Sequence, residues 1–169
     1  MFLIDAFKEY VQAGGKNKLR LKGPAEHGYE KALHDRIREH KLDHFVSVLA
    51  PSYGDDKWKF LGQAQAVIYP CVDEPFGRVP FEAVLAGSVP VLPIESGGAE
   101  YLEKVLPECT YQDTNPAALA EALALFDRKD ASQDEIFKQA RLRLREELSP
   151  EAIAQRFVET YREVAGSRS

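Results

Sequence analysis

The sequence predicts an α/β fold: a doubly wound parallel sheet with helices on both faces. Two observations carry this. Short apolar or alternating runs take turns along the chain with longer segments of helical period. Such alternation builds a parallel sheet whose faces are covered by crossover helices. The breaks fall at Gly14-Gly15, Gly23-Pro24, Pro51 to Gly54, Gly87 and Gly97-Gly98, which are turn-forming residues. With 169 residues, 44% of them hydrophobic and 29% charged, the chain is sized for one soluble domain with a substantial core.

The elements follow in order. Residues 1–13 read as an amphipathic helix with Leu3, Phe7, Tyr10 and Val11 on one face, closed by Gly14-Gly15. Lys18 to Lys22 alternates and reads as a short strand ending at Gly23-Pro24. A helix follows over about residues 28–40, then a second strand over Phe45 to Leu49. Pro51 to Gly54 is a loop, and Asp55 to Gly62 a short helix carrying Trp58 and Leu61. Val67 to Tyr69 and Val89 to Leu92 are the third and fourth strands, with a helix from Pro80 to Ala86 between them. A short helix covers about 99–105, and Thr110-Tyr111 marks a weak fifth strand. Asn115-Pro116 caps a helix to about 127, and Ser132 with Glu135 forms a capping box for another to about 147. Ser149-Pro150 opens the last helix, whose Ile153, Phe157, Tyr161 and Val164 share a face. There is no internal repeat and no low-complexity segment.

Several function classes are disfavoured. A net charge of −5 argues against a general nucleic-acid binder. No run of 18 apolar residues and no signal peptide is present, so no membrane span is expected. Cys71 and Cys109 make neither a metal spacing nor a disulfide framework, and the cytoplasm is the default compartment. Among His27, His34, His40 and His44, the last two are four apart, but the helix they would share ends near Lys41, so a metal site is not expected. Asp55-Asp56 reads as a helix start. Arg141, Arg143 and Arg145 read as a solvated helix face with at most weak contact to a membrane surface.

The chain is organised around Glu74-Pro75-Phe76-Gly77-Arg78-Val79-Pro80-Phe81-Glu82-Ala83. It follows the strand ending at Tyr69-Pro70 and runs into a helix. Pro80 suits the first helical position and Gly87 the position past the end, which puts Glu82 in the first turn. The free N–H groups of that turn favour an anion. Two carboxylates eight residues apart, Glu74 and Glu82, flank that pocket. In a parallel sheet, ligands bind at the carboxyl ends of the strands. Glu74 and the loops at Gly23, Pro51 and Gly97 all lie there.

This stretch resembles the donor-binding signature of retaining glycosyltransferases of the GT-B fold, the glycosyl transferases group 1 family. The acid pair Glu74 and Glu82, with Phe76-Gly77 between, matches it. So does the continuation Ala83, Ala86-Gly87-Ser88-Val89-Pro90-Val91, Gly97-Gly98 and Glu100, with one extra residue at Ser88. The resemblance covers essentially the whole chain as that family's Rossmann-like C-terminal domain. It implies a nucleoside diphosphate sugar as donor substrate, with no cofactor and no obligatory metal. Glu74 would be the catalytic-site acid, accepting hydrogen bonds from donor-sugar hydroxyls. Glu82 would hold the ribose. Phe76, Gly77, Arg78 and Val79 would meet the sugar and diphosphate, Arg78 by charge, although the family often has an apolar residue there. Phe76 could equally be a core plug. Gly97 and Gly98 would be a loop beside the sugar or a turn before a helix. Pro51, Ser52 and Tyr53 would lie near the nucleobase, Tyr53 stacking on it or covering Trp58.

The resemblance also implies parts that lie outside this chain. The family opens this domain with a strand and a loop bearing a basic pair, and precedes it with an acceptor domain. The chain therefore reads as a fragment or truncated gene product, incomplete at its N-terminus and inactive alone. Any membrane-surface association would belong to the full-length enzyme. The first strand of a doubly wound sheet is central. The expected sheet thus has five short parallel strands and a fault between Lys18–Lys22 and Val67–Tyr69. The implied function is transfer of a hexose to an acceptor hydroxyl. The alternatives are a nucleotide-sugar-binding module without turnover and an α/β interaction module with a vestigial motif.

Overall fold

In the computed structural model, which describes residues 1–24, 28–112, 115–127 and 131–166, strands and helices alternate up to the fifth strand, and three helices follow it. The first half runs α1 (Phe2–Gln12), β1 (Leu19–Lys22), α2 (Tyr29–Glu39), β2 (Val46–Leu49), α3 (Gly54–Gly62) and β3 (Ala66–Ile68). The second runs α4 (Arg78–Ala86), β4 (Val89–Pro93), α5 (Ala99–Leu102), β5 (Thr110–Tyr111), α6 (Pro116–Leu125), α7 (Ala131–Glu147) and α8 (Pro150–Gly166). His27 and the side chain of Ser132, and with it the expected capping box, lie outside the described residues.

Local chemistry sets the helix ends. The Asn115 side chain accepts a 2.9 Å hydrogen bond from the Ala118 N–H, and Pro116 occupies the first turn of α6, where its missing donor costs nothing. At the end of α4, Gly87 takes a φ of +105°, and the Gly87 and Ser88 N–H groups return to the carbonyls of Val84 and Ala83. The start of α4 differs from the sequence expectation. It begins at Arg78, directly after Gly77 with its φ of +69°, so Pro80 is the third helical residue and Glu82 stands in the second turn. The helix tolerates this because the first four N–H groups have no intrahelical acceptor, and a proline anywhere among them forfeits no hydrogen bond.

All strands are parallel, in two sheets: β1 with β2, and β3-β4-β5 in that order. β4 pairs with β3 at Ala66↔Val89, Val67↔Pro90 and Ile68↔Val91, and with β5 from Leu92↔Thr110 onward. Pro90 fits this central strand because Val89 and its alternate Val91 face β3, while Pro90 faces the other edge, below where β5 begins. β4 is buried on both faces. Val91 joins a core with Ile4, Phe7 and Tyr10 of α1, Ile37 of α2 and Leu119 and Leu123 of α6. Leu92 joins a second core with Phe81 and Val84 of α4, Leu102 of α5 and Ala140 and Leu144 of α7.

The sheet is broken where the fault is expected. No described strand pairs with the free edge of β1 or β3, and a cavity of about 650 Å³ lies between them. α1 spans the break on one face. The Tyr10 hydroxyl, on that helix, donates to Asp127 at 2.7 Å just beyond α6. α1 is tied to α2 as well. Arg36 Nε donates to Asp5 Oδ1 at 2.8 Å, and a ring nitrogen of His40 lies 2.8 Å from the same oxygen. His40 therefore serves the α1–α2 contact. Arg141 departs from the expected solvated face: its guanidinium donates twice to the Leu85 carbonyl, at 3.1 and 2.7 Å, and closes the end of α4.

Two outcomes follow. Leu144→Ala removes a fully buried side chain from the second core and should cost about 2–5 kcal/mol in a urea denaturation; a loss below about 1 kcal/mol would mean α7 does not pack as described. The hydrogen bond from Arg36, with that from His40, holds the Asp5 carboxyl below its ordinary 3.8. A depressed carboxylate contributes stability above its unfolded value and loses it as pH falls through the folded one. Melting temperature should therefore drop as pH falls below about 4, and part of that drop should vanish in Asp5→Asn; an identical acid limb in the variant would rule the pair out.

Candidate functional site

The parallel pairing of β3 with β4 places the two following loops side by side at the carboxyl edge. Their contact is backbone on backbone. A Cβ on Gly97 would lie 1.9 Å from the Pro75 carbonyl oxygen and 2.9 Å from that of Glu74. The Gly97 N–H donates to the Glu74 carbonyl at 3.1 Å. A Cβ on Gly98 would lie 2.6 Å from the Phe76 carbonyl oxygen. The two glycines thus act as the seat of the acid-bearing loop.

Within that loop, Gly77 is required twice. Its φ of +69° is left-handed, and a Cβ there would fall 2.9 Å from the Tyr69 ring and 3.3 Å from Glu74 Cγ. The Glu74 side chain therefore lies back over Gly77, close to Tyr69, while the residue as a whole is exposed. Burial first, then the neighbouring Cys71 and Glu74, push the Tyr69 hydroxyl up to about 12, so it stays a protonated donor. Phe76 stacks on Phe81, with ring centroids 4.5 Å apart and planes 7° apart, yet it remains 47% exposed. It is a plug on its inner face and open surface on its outer one.

Behind the loop, α4 presents its N-terminus. The N–H groups of Arg78 and Val79 are among those without an intrahelical acceptor. Arg78 is exposed and makes no ion pair among the described residues. One turn further in, Glu82 Oε1 meets Lys57 Nζ of α3 at 2.7 Å, with the Glu82 side chain only 18% exposed. No local pattern marks Lys57 as this partner, because it lies 25 positions away on another helix. Ser52 is half-buried and Tyr53 is 76% exposed just before α3, and no ring contact links Tyr53 to Trp58 among the described residues. Glu100 projects into solvent and pairs with Lys104 at 3.7 Å.

Ser88, the extra residue of the motif, is buried, and its hydroxyl donates to the carbonyls of Leu61 and Ala64. It fastens the end of α3 beneath the turn between α4 and β4. The side-by-side requirement on α3 and α4 is close: a Cβ on Gly62 would meet the Ala86 carbonyl oxygen at 2.9 Å.

The sequence pattern of "Glycosyl transferases group 1" matches residues 2–143. The chain belongs to that family. It is 29% identical over 147 residues to the human alpha-1,3/1,6-mannosyltransferase ALG2, a match covering 86% of this chain and 34% of that protein. Sucrose-phosphate synthase from Thermosynechococcus elongatus superposes with a TM-score of 0.77 at 21% identity, over 98% of this chain and 43% of the synthase. Anabaena HepE in complex with UDP superposes with a TM-score of 0.78 at 25% identity, over 96% of this chain and 44% of HepE. The same protein has also been solved with UDP-glucose. This chain thus corresponds to less than half the length of each. Its architecture is that of the C-terminal domain of GT-B glycosyltransferases, with a partial sheet. No helix among the described residues is long and apolar enough to cross a membrane.

Gly97→Ala tests the seat. Its methyl must displace the Pro75 carbonyl, and overpacking of this kind costs about 1–3 kcal/mol. Chemical shifts should move at Glu74 to Gly77 in a two-dimensional amide spectrum. Shifts confined to residues 96–98 would show that the two loops do not share a backbone contact.

Proposed function

We propose that this chain binds a nucleoside diphosphate sugar at the carboxyl edge of β3 and β4 and forms the donor half of a retaining hexosyltransferase. The observation that carries the reading is the Gly97 seat. It fixes the Glu74 loop against the N-terminus of α4, with a second acid one turn deeper. The diphosphate would lie on the N–H groups of Gly77, Arg78 and Val79, assisted by the exposed Arg78 cation. Glu74 would accept hydrogen bonds from sugar hydroxyls, and Glu82 from the ribose. Tyr53, with Ser52 beside it, would stack on the base. HepE complexes with UDP and UDP-glucose support this class of ligand.

Glu82 is held by Lys57 in the free chain, so ribose binding would share or take over that carboxylate. Transfer itself would rest on positioning and on stabilising the leaving diphosphate, not on a resident cofactor. Acceptor binding would come from polypeptide that the relatives have beyond the region matched here. Two free cysteines, Cys71 exposed and Cys109 buried, suit a reducing cytoplasm.

The two acids should separate in calorimetric titrations. Loss of charge-assisted hydrogen bonds costs about 1.5–3 kcal/mol, so Glu82→Ala should weaken UDP or another nucleoside diphosphate by roughly 10–100-fold. It should melt within about 1 kcal/mol of the parent, because the Lys57 side chain is partly exposed and can turn to water. Glu74→Ala should spare the free nucleoside diphosphate and weaken only the sugar-bearing donor. Equal losses for both ligands in both variants would refute these roles, and no saturable nucleotide binding by the parent chain would refute the reading itself.

A further inference from the structure

Glu74 is the acid of the site that no charged group holds. It stands on an exposed loop, and no cation pairs with its carboxylate among the described residues. Glu82, by contrast, has Lys57. A long, exposed carboxylate samples many rotamers, and a ligand that needs it in one place must offset the loss of that freedom. The Glu74 side chain nevertheless does not stand free in water. Its Cγ lies back over Gly77, where a Cβ would fall 3.3 Å from it. The same Cβ would fall 2.9 Å from Tyr69 Cε1 and 3.3 Å from Tyr69 Cζ, the carbon that carries the hydroxyl. The stem of the acid and the hydroxyl end of the ring therefore converge over one bare stretch of backbone.

Tyr69 is fixed from behind. It follows β3 directly, and its N–H donates to the Val91 carbonyl of β4 at 2.8 Å. Its ring is half-buried against the second core. The sheet thus sets the place of the ring, while the hydroxyl reaches the loop. Two side chains face that hydroxyl, Cys71 and Glu74. Burial, then the charge and hydrogen bonding of these two, push it up to about 12, so it keeps its proton at neutral pH. A phenol has one proton to give and an oxygen that accepts. A carboxylate is a far better acceptor than a thiol, and its bond to the O–H is charge-assisted. The phenol proton therefore goes to Glu74, and the weak S–H donor of Cys71 is left to the phenol oxygen.

We propose that Tyr69 is a positioning residue for the donor sugar: its hydroxyl donates to the Glu74 carboxylate and holds it over Gly77 before any ligand arrives. The carboxylate keeps capacity for the sugar, because its two oxygens offer about four lone-pair sites and the phenol takes one. The gain is one of order, since an acid already held loses less freedom on binding. Glu74 is then tied twice, through its main-chain carbonyl to the Gly97 N–H at 3.1 Å and through its side chain to Tyr69. The inference rests on the donor-site reading, in which Glu74 meets the sugar and not the nucleotide. Tyr69 should therefore affect only the sugar-bearing ligand, through Glu74 and without a sugar contact of its own. A tyrosine that only packed beneath the loop would disturb both ligands alike.

Tyr69→Phe keeps the ring on Gly77 and removes the hydroxyl alone. Calorimetric titrations of the 169-residue chain use UDP with UDP-glucose and GDP with GDP-mannose, and the pair that binds the parent more tightly is followed. The variant should weaken the sugar-bearing ligand by about 3–10-fold, the size of one lost hydrogen bond, and leave the free diphosphate within about twofold. In a Glu74→Ala background the same substitution should add no more than about twofold, because its effect runs through the acid. A ligand-free arm reads the contact itself. The side-chain carboxyl carbon-13 resonance of Glu74 should move in Tyr69→Phe at neutral pH, where the retained ring keeps its ring current and only the hydroxyl is gone. The proposal is overturned by an unmoved Glu74 resonance, by unchanged affinity for the sugar-bearing ligand, by equal loss for both ligands, or by the full loss repeated in the Glu74→Ala background. Each of these, with saturable binding by the parent, leaves the donor-site reading standing. No saturable binding by the parent overturns that reading and this inference with it.

Discussion

The closest constraint in the molecule is the approach of one loop's backbone to another's. Gly97 lies so near the Pro75 carbonyl that no side chain fits between them, and its N–H is spent on the Glu74 carbonyl. That contact exists because β3 and β4 are adjacent and parallel, so their following loops leave the sheet together. Glu74, the left-handed Gly77 and the first turn of α4 then take positions relative to a fixed seat. The stacking of Phe76 on Phe81 ties the same loop to the second core. The candidate site is thus built on main-chain contacts.

β4 supplies the rigidity behind this arrangement. Successive residues Val91 and Leu92 enter different cores, so the strand is clamped by α1, α2 and α6 on one face and by α4, α5 and α7 on the other. Such a strand reads as a continuous apolar run because neither face meets water. The same doubly covered architecture makes the break between β1 and β3 consequential. α1 and α6 hold the two sheets together on one face, through packing and through Tyr10 and Asp127, without any backbone ladder between them.

On the opposite face, polar contacts add to the packing of the second core. Ser88 bonds carbonyls at the end of α3, Arg141 bonds the end of α4, and Lys57 joins α3 to α4 through Glu82. Each satisfies a helix terminus or a half-buried charge that would otherwise face an apolar surround. Glu82 consequently has a structural partner in the free chain as well as its place beside the anion-attracting helix end. On the proposed reading, binding there would be an exchange of partners and not the filling of an empty carboxylate.

Composition, period and turn residues determined the order of strands and helices, the helix stops at Gly14-Gly15 and Gly87, and the acid spacing around Gly77. All of these depend on neighbours a few positions away, where period and φ preference act. The resemblance to the family also implied the break in the sheet, because the strand with which that family opens the domain is central in a doubly wound fold and lies outside this chain. Only the tertiary structure decided that α4 starts at Arg78, since a positive φ at Gly77 and a proline among orphan donors are equally compatible with two starts. It alone decided that Gly97 seats Glu74, that Lys57 holds Glu82 and that Arg141 closes α4. Those contacts join segments 23, 25 and 56 positions apart. Local pattern carries no information about such distances, because they are set by how the sheet brings its loops and helices together.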